Sequence, residues 1–297
     1  PQALAAIAIA EQQQQAHPAA AVAATRVAAL VVDSGFSATH CVPVYGSTAL
    51  NYATKRLNVG GKMLTNHLKQ LVSYRAYNVM DETHLMNDVK ERLCYLSLDF
   101  ERELNLCRYR GRKNTIQREF VMPDYVNQSQ GQIRDPNAPA EPPADSAASA
   151  AGGAPPAKRA RAADDEQVLR LSNERITVPE ILFHPTDIGI EQAGVPECVV
   201  QSVDECIPDM REALYANIVL TGGSTRFDNF ESRLRSELRA LVPAEYEVGI
   251  THAAQPELAA WRGGSIFASS ADFCSVVVSR AEYAEYGHAL CRRRFQV

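Results

Sequence analysis

The chain has 297 residues, 46% hydrophobic and 22% charged, enough to bury a sizeable core in one large or two medium domains. Lys and Arg number 30 against 35 Asp and Glu, a net charge of −5, so no global basic field draws the protein to nucleic acid or to an anionic membrane. Seven cysteines without a Cys-x-x-Cys pair point to reduced thiols in the cytosol or nucleus, the scattered histidines offer zinc no site, and no apolar run approaches the ~20 residues of a membrane helix.

Residues 1–9 are Ala-rich with helical propensity, and the glutamine and alanine tracts that follow read as a low-complexity insertion. No basic region precedes them, so a signal peptide is not expected. Residues 27–32 form a continuous apolar run, which suits a strand covered on both faces, and Asp33 interrupts it at its carboxyl end. Ser34-Gly35 reads as a tight turn that uses the positive φ open to glycine, after which residues 38–45 return as a second strand. The amides of such a turn face one concavity and can hold phosphate oxygens, with Asp33 facing a metal ion or its waters. A purely structural hairpin fits the same residues.

After Gly60-Gly61, the spacing of Leu64, Leu68, Leu71 and Val72 predicts a helix. A second helix is predicted over residues 83–98, burying Leu85, Val89, Leu93 and Leu96. Lys90 and Glu91 lie off that stripe, where charged pairs are usually solvated. Residues 127–166 are rich in Pro, Ala, Gly and Ser and are expected to be disordered, because they bury too little to offset their ordering entropy. Within them, Lys158-Arg-Ala-Arg161 has the character of a nuclear import signal or of plain solvated charge. Order is expected to resume at Leu169.

Residues 217–226, NIVLTGGSTR, repeat the logic of the first strand: an apolar run enters a double glycine and then a helix over residues 228–241. Phe230, Leu234, Leu238 and Leu241 share a face of that helix, and Asp228 with Glu231 suggests a capping box. Paired glycines admit close approach of a ligand, and a helix N-terminus beside them favours an anion. The closing segment, residues 261–295, ends in the Arg292 to Arg294 run, which reads as solvated charge.

Asp33-Ser-Gly with Thr39-His40, Leu220-Thr-Gly-Gly-Ser, Lys90-Glu91-Arg-Leu-Cys-Tyr95 and Trp261-Arg-Gly-Gly-Ser-Ile266 resemble, in order, segments of the actin superfamily. Residues 58–68 (NVGGKMLTNHL), 79–84 (VMDETH) and 178–183 (VPEILF) look most like the sixth, nuclear class of actin-related proteins. The resemblance implies an α/β, actin-like fold of the actin/Hsp70/sugar-kinase superfamily, mainly its second half, with the first phosphate-binding hairpin expected upstream of Pro1. The chain is then a fragment, or works without half of its clamp, or has no stable fold. Residues 1–26 would be a remnant of the first lobe plus the insertion. Residues 27–60 and 191–258 would form the large subdomain, 61–190 the smaller one, and 259–297 a segment returning to the first lobe.

The same resemblance assigns nucleotide binding to Asp33, Ser34, Gly35, Gly61, Lys62, Lys90, Glu91, Gly222, Gly223 and Ser224, with Asp33 reaching the metal through water. Gln2 and His40 are vestigial candidates for positioning a water. The implied cofactor is ATP or ADP with Mg2+, bound weakly or not at all. Several departures weigh against hydrolysis: Ser37 replaces a glycine and would crowd the phosphates, Arg226 and Phe227 replace the residues flanking the base, and Glu257 replaces a lysine near the adenine. Asp187 stands where the actin plug loop is apolar, and burying an unpaired carboxylate costs several kcal/mol, so no actin-type filament is expected. The implied function is that of a non-catalytic structural subunit of a nuclear ATP-dependent chromatin-remodelling complex that exchanges a variant histone in nucleosomes. The implied partners are remodeller subunits, with histones and DNA contacted through the complex and no membrane. The nucleus is the expected location, with the cytoplasm a second; the alternative reading is an independent actin-like ATPase.

Overall fold

The computed structural model describes residues 28–46, 48–123, 128–137, 167–271 and 273–295. The chain divides into two compact units: the first runs through Leu64 and resumes at Pro179, and the second is Thr65–Val178.

Along the chain, β1 (Ala28–Ser34) turns back as β2 (Thr39–Tyr45), followed by β3 (Thr48–Ala49), β4 (Lys55–Leu57) and helix α1 (Gly61–Arg75). Next come α2 (Thr83–Leu93), α3 (Phe100–Cys107), β5 (Arg118–Val121), β6 (Gln132–Arg134), β7 (Val168–Leu171) and α4 (Glu174–Glu180). The chain continues through α5 (Val195–Asp204), α6 (Pro208–Ala216), β8 (Ile218–Thr221), α7 (Phe230–Leu241) and β9 (Ile250–His252). It closes with α8 (Pro256–Ala268), α9 (Phe273–Val276) and α10 (Arg280–Phe295), which bends at Gly287.

The first unit is built on a mixed sheet in the order β3-β2-β1-β8-β9, with β4 also paired to β2. β1 is antiparallel to β2 and parallel to β8, and β8 is parallel to β9. Every residue of 28–32 is buried, which is why this strand is an unbroken apolar run rather than an alternating one. Ala29 and Val31 join Val42, Val44, Val219, Ala253 and Ala259 in one core cluster, while α5 and α6 pack on β2 and β1. Along α5, Val195, Cys198, Val199 and Val203 are buried at helical spacing. The core of this unit also holds a buried ion pair: Arg233 of α7 donates to both oxygens of Glu180, at 2.7 and 3.3 Å, and its guanidinium lies over the Phe183 ring.

The second unit carries the three-stranded antiparallel sheet β6-β5-β7. Gln132–Arg134 is therefore ordered against β5, although the sequence places it in the segment expected to be disordered; Phe120 packs over Gly131, where a Cβ would lie 2.0 Å from the ring. Residues 138–166, including the basic run at 158–161, lie outside the described residues, as do residues 1–27.

Three local expectations are corrected. The helix expected over 83–98 stops at Leu93, because the Tyr95 amide donates to Arg175 O (3.0 Å) and Arg175 Nε to Leu93 O (2.7 Å), drawing the chain out of the helix. α7 starts at Phe230, preceded by Asn229 at φ 67°, and no side chain caps it; the Asp228–Glu231 box does not form. Leu241, the last residue of the same helix, is exposed.

Candidate functional site

β1 and β8 end side by side, with Asp33 in register with Thr221, and in open α/β sheets ligands sit outside such carboxyl ends. What brings the two ends into contact is Gly222. Its φ of 90° and ψ of 150° suit glycine alone, and a Cβ there would lie 2.3 Å from Ser34 O and 2.7 Å from Asp33 Oδ1. Gly222 N and Thr221 Oγ1 both donate to Pro256 O, at 2.9 and 3.0 Å, which anchors the start of α8 beneath the loop.

The β1–β2 turn is held by the segment that enters α1. Gly61 N donates to Gly35 O (3.0 Å) and Lys62 N to Phe36 O (2.8 Å), so these two α1 amides serve the turn. A Cβ at Gly60 would lie 2.7 Å from Ala38 N and from Phe36 O, which makes this glycine obligatory for close approach. Gly35 O also accepts from Ser224 Oγ (3.3 Å), so one carbonyl joins the turn, the α1 entry and the β8 loop. Gly35 itself does not use positive φ, contrary to the sequence reading. A Cβ there would meet only Ala38 O at 3.6 Å and Asp33 Oδ1 at 3.8 Å, and one on exposed Gly223 would meet nothing within 4 Å. Both glycines leave open a space that a side chain would fill.

Ser34 is fully buried, and its hydroxyl is committed. Thr39 Oγ1 donates its one proton to Val59 O (2.9 Å), so Ser34 Oγ is the donor in the 2.9 Å contact with Thr39. Its side chain is structural. Ser37 is exposed at the tip of the turn with negative φ, so its Cβ brings no backbone strain.

Asp33 is half-buried. Among the described residues its carboxylate accepts no hydrogen bond and forms no ion pair within salt-bridge distance, and burial pushes its pKa up while His40 draws it back. His40 stands directly across on β2, in register with Asp33, and with Arg56 of β4 on its other side. Burial lowers the pKa of His40, Asp33 opposes that shift and Arg56 adds to it, so His40 is a neutral imidazole at pH 7. The described residues contain no group of three His, Cys, Asp or Glu side chains able to cage a metal, so a cation at Asp33 would take its other ligands from water and from a bound oxyanion.

Lys62 is exposed. Lys90 and Glu91 belong to the second unit, and Lys90 is not part of a solvated face: it is buried, and its Nζ donates to Thr65 Oγ1 (3.0 Å) and Asn87 Oδ1 (2.8 Å). Burial lowers its pKa, and Glu91, which is exposed, opposes the shift. Gln2 lies outside the described residues. Arg226 and Glu257, singled out as two separate departures, face each other at 3.3 Å as an exposed ion pair. Beside them residues 225–232, 252–254 and 256 line a cleft of about 430 Å³, in which His252 Nε2 lies 3.0 Å from Thr225 O. No feature of the sequence pointed to His252, to Gly60 as the contact point of the turn, or to the Thr65–Asn87 partners of Lys90. Only the i, i+3, i+4 spacing of Asn87, Lys90 and Glu91 hinted at the last.

The actin family profile matches residues 5–296. Relatives include Actin-related protein 6 of Arabidopsis thaliana, 47% identical over 267 residues that cover 90% of this chain and 63% of the relative. Actin-like protein ARP6 of Cryptococcus neoformans is 40% identical over 271 residues, covering 90% of this chain and 54% of the relative. Actin-related protein 6 of Drosophila melanogaster is 36% identical over 258 residues, covering 87% and 60%. The chain thus spans less than two thirds of the length of the curated relatives it matches, and its sheets and helices are those expected of an actin-like α/β fold.

Proposed function

The chain belongs to the actin family, and on that premise we propose that it is an actin-related structural subunit of a nuclear ATP-dependent chromatin-remodelling complex that exchanges a variant histone in nucleosomes. Its nucleotide site is structural rather than catalytic. The reading draws support from likeness to proteins named Actin-related protein 6 in plants, a slime mould and an insect. Its partners are the other subunits of such a complex, with histones and DNA reached through them, and its place is the nucleus, with the cytoplasm a second compartment. Exposed Asp187, on a 3-10 turn at Pro185–Ile188, puts a charge where a filament plug would need an apolar tip.

The actin fold generally binds nucleotide with magnesium, and the residues of the first unit fit that group. The observation that carries the fit is the half-buried Asp33 carboxylate, which accepts no hydrogen bond from the described residues, set beside the open sides of Gly35 and Gly223. Asp33 would hold the metal through water, the loops at residues 35–37 and 222–224 would take the phosphates, and Lys62 would add charge at the rim. Bound Mg2+ with ATP or ADP would supply neutralised phosphate charge between these loops. The chain's own groups then orient and hold. His40 is neutral at pH 7 and the Ser34 hydroxyl is committed internally, so neither adds the preorganised positive charge on which phosphoryl transfer depends.

The test has two arms. Endogenous protein isolated from nuclear extract should bring remodeller subunits with it, and purified protein with Mg-ATP should release phosphate at background rate. Isolation of the protein alone would overturn the subunit reading. Turnover that collapses in Asp33→Ala would favour the second reading, an independent actin-like ATPase, for which the facing Asp33–His40 pair is the supporting observation.

A further inference from the structure

Between Glu103 and Glu119 the chain carries no acidic residue and five cations: Arg108, Arg110, Arg112, Lys113 and Arg118. Arg118 is paired with Asp135 at 3.3 Å. The other four lie on the loop at residues 108–113 of the second unit, between α3 and β5, where every residue is exposed. Among the described residues none of these four side chains forms an ion pair or a hydrogen bond, whereas Arg75, Arg92 and Arg170 of the same unit are each paired with an acid. The loop is held in shape from within the unit. Asn114 is buried, and its side-chain amide is fully used: Nδ2 donates to Cys107 O (3.3 Å) and Ser172 Oγ (2.9 Å), and Oδ1 accepts from the amides of Ile116 and Gln117, each at 3.1 Å. Asn114 N donates to Gly111 O (2.9 Å), closing a 3-10 turn at Gly111–Lys113. The chain just before the loop and just after it is thus tied to one side chain, and the four cations stand on a backbone already fixed.

We infer that this loop docks on the phosphate backbone of duplex DNA without reading its sequence. The chain as a whole carries a charge of −5, so the contact is confined to the place where positive charge is gathered. Three of the four cations are arginines, whose planar forks fit phosphate oxygens two at a time, and the phenol of exposed Tyr109 adds a neutral donor. A duplex holds its phosphates in a rigid array, so neither it nor the fixed loop has to be ordered on contact; a flexible acidic peptide must first be ordered. The cations sit on a short turn rather than on a helix or paired strands that could enter the major groove, so they reach phosphates and not base edges. The contact belongs to this chain itself, in addition to DNA reached through other subunits, and does not depend on which complex the chain joins.

The experiment follows a fluorescein-labelled DNA duplex of mixed sequence by anisotropy as the full chain is added, across a series of salt concentrations. Four phosphate contacts predict a slope of log K against log salt of about −3.6, hence a roughly 150-fold fall in affinity between about 50 and about 200 mM salt. Arg110→Ala combined with Arg112→Ala should bring the slope to about −1.8, so that the same salt step lowers affinity only about 12-fold. Arg292→Ala combined with Arg293→Ala removes as much charge from exposed positions of α10 and should leave the slope unchanged. Both variants alter exposed side chains alone, so the fold is retained. A second duplex of unrelated sequence should bind within about twofold of the first. Failure to bind the duplex at about 50 mM salt, a slope unchanged in the loop variant, or an equal loss in the α10 variant would overturn the inference. Stronger competition by polyglutamate or by single-stranded DNA than by unlabelled duplex would overturn it as well, assigning the loop to an acidic peptide or an unpaired strand. Co-isolation of remodeller subunits tests the function proposed above separately from all of these results.

Discussion

Replacing Gly222 by Ala tests the contact that brings the two strand ends together. The backbone there has φ 90° and ψ 150°, a region open essentially to glycine, and forcing a Cβ into it costs on the order of 1–3 kcal/mol. The methyl would also sit 2.3 Å from Ser34 O and 2.5 Å from Ser34 C. That carbonyl cannot yield easily, because Ser34 is fully buried at the end of a strand paired on both sides, and overpacking of this kind costs about 1–3 kcal/mol more. The sum, about 2–6 kcal/mol, is a large share of a typical stability of about 5–15 kcal/mol. Thermal unfolding followed by circular dichroism should show a midpoint lower by roughly 5–20 °C. Gly223→Ala is the control: its Cβ would meet nothing within 4 Å and its φ is ordinary, so stability should stay within about 0.5 kcal/mol. It should still weaken nucleotide binding by filling the open side of the loop. Equal midpoints for the two alanine variants would refute the geometry from which both expectations come.

Arg233→Leu leaves the buried Glu180 carboxylate, among the described residues, with only the exposed His184 as partner and should cost about 3–5 kcal/mol in urea unfolding; Glu180→Leu combined with Arg233→Leu should recover much of it. A cost below about 1 kcal/mol for the single change would count against the pair. Asp33→Asn should stabilise the protein at neutral pH without ligand. Burial raises the Asp33 pKa, so the folded state binds more protons than the unfolded one as pH climbs from 3.8 through the raised value, and stability is lost across that window. His40 acts in the opposite sense: its lowered pKa makes stability rise as pH climbs towards 6.5, and loss of Asp33 should lower that pKa further, measurable by NMR titration. Mg-ATP should stabilise the unaltered protein and fail to do so in Asp33→Asn; equal ligand-induced shifts in the two would refute a metal role for Asp33.

Where a property depends on one segment, the sequence was sufficient. The unbroken run of residues 28–32 announced a strand buried on both faces, and of the stripe expected for α1, Leu64, Leu68 and Val72 are buried and Leu71 is partly so. What failed depends on partners distant in the chain. Gly35 looked like the conformational hinge because it follows an acid and a serine. The demanding glycines are instead Gly60 and Gly222, each pressed against backbone that the sequence does not place beside it. Lys90 read as solvated because its own helix gives it no reason to be buried; the reason is Thr65, 25 residues earlier on α1. Arg226 and Glu257 counted as two unfavourable substitutions when taken singly, and only their 3.3 Å approach shows that each offsets the other's charge.

The distribution of satisfied and unsatisfied groups decides what a ligand at these strand ends would do. Ser34, Thr39, Thr221, Thr225 and two α1 amides are all spent on closing the loops over one another. The Asp33 carboxylate is the group left at a cost, since it is half-buried and takes no hydrogen bond from the described residues. An anion carrying its own divalent cation would relieve that cost and bridge the turn at residues 35–37 to the loop at 222–224. By mass action such binding adds about 2.7 kcal/mol of stability at 100 times the dissociation constant, comparable to the penalty expected for Gly222→Ala. Chemistry on the ligand would need preorganised charge, and of the described groups near these loops His40 is neutral, Arg226 is paired with Glu257 and Lys62 is exposed to solvent. Under the proposed reading the nucleotide is therefore part of the fold, and its removal should be felt as loosening of the β1–β2 turn and the β8 loop rather than as loss of a reaction.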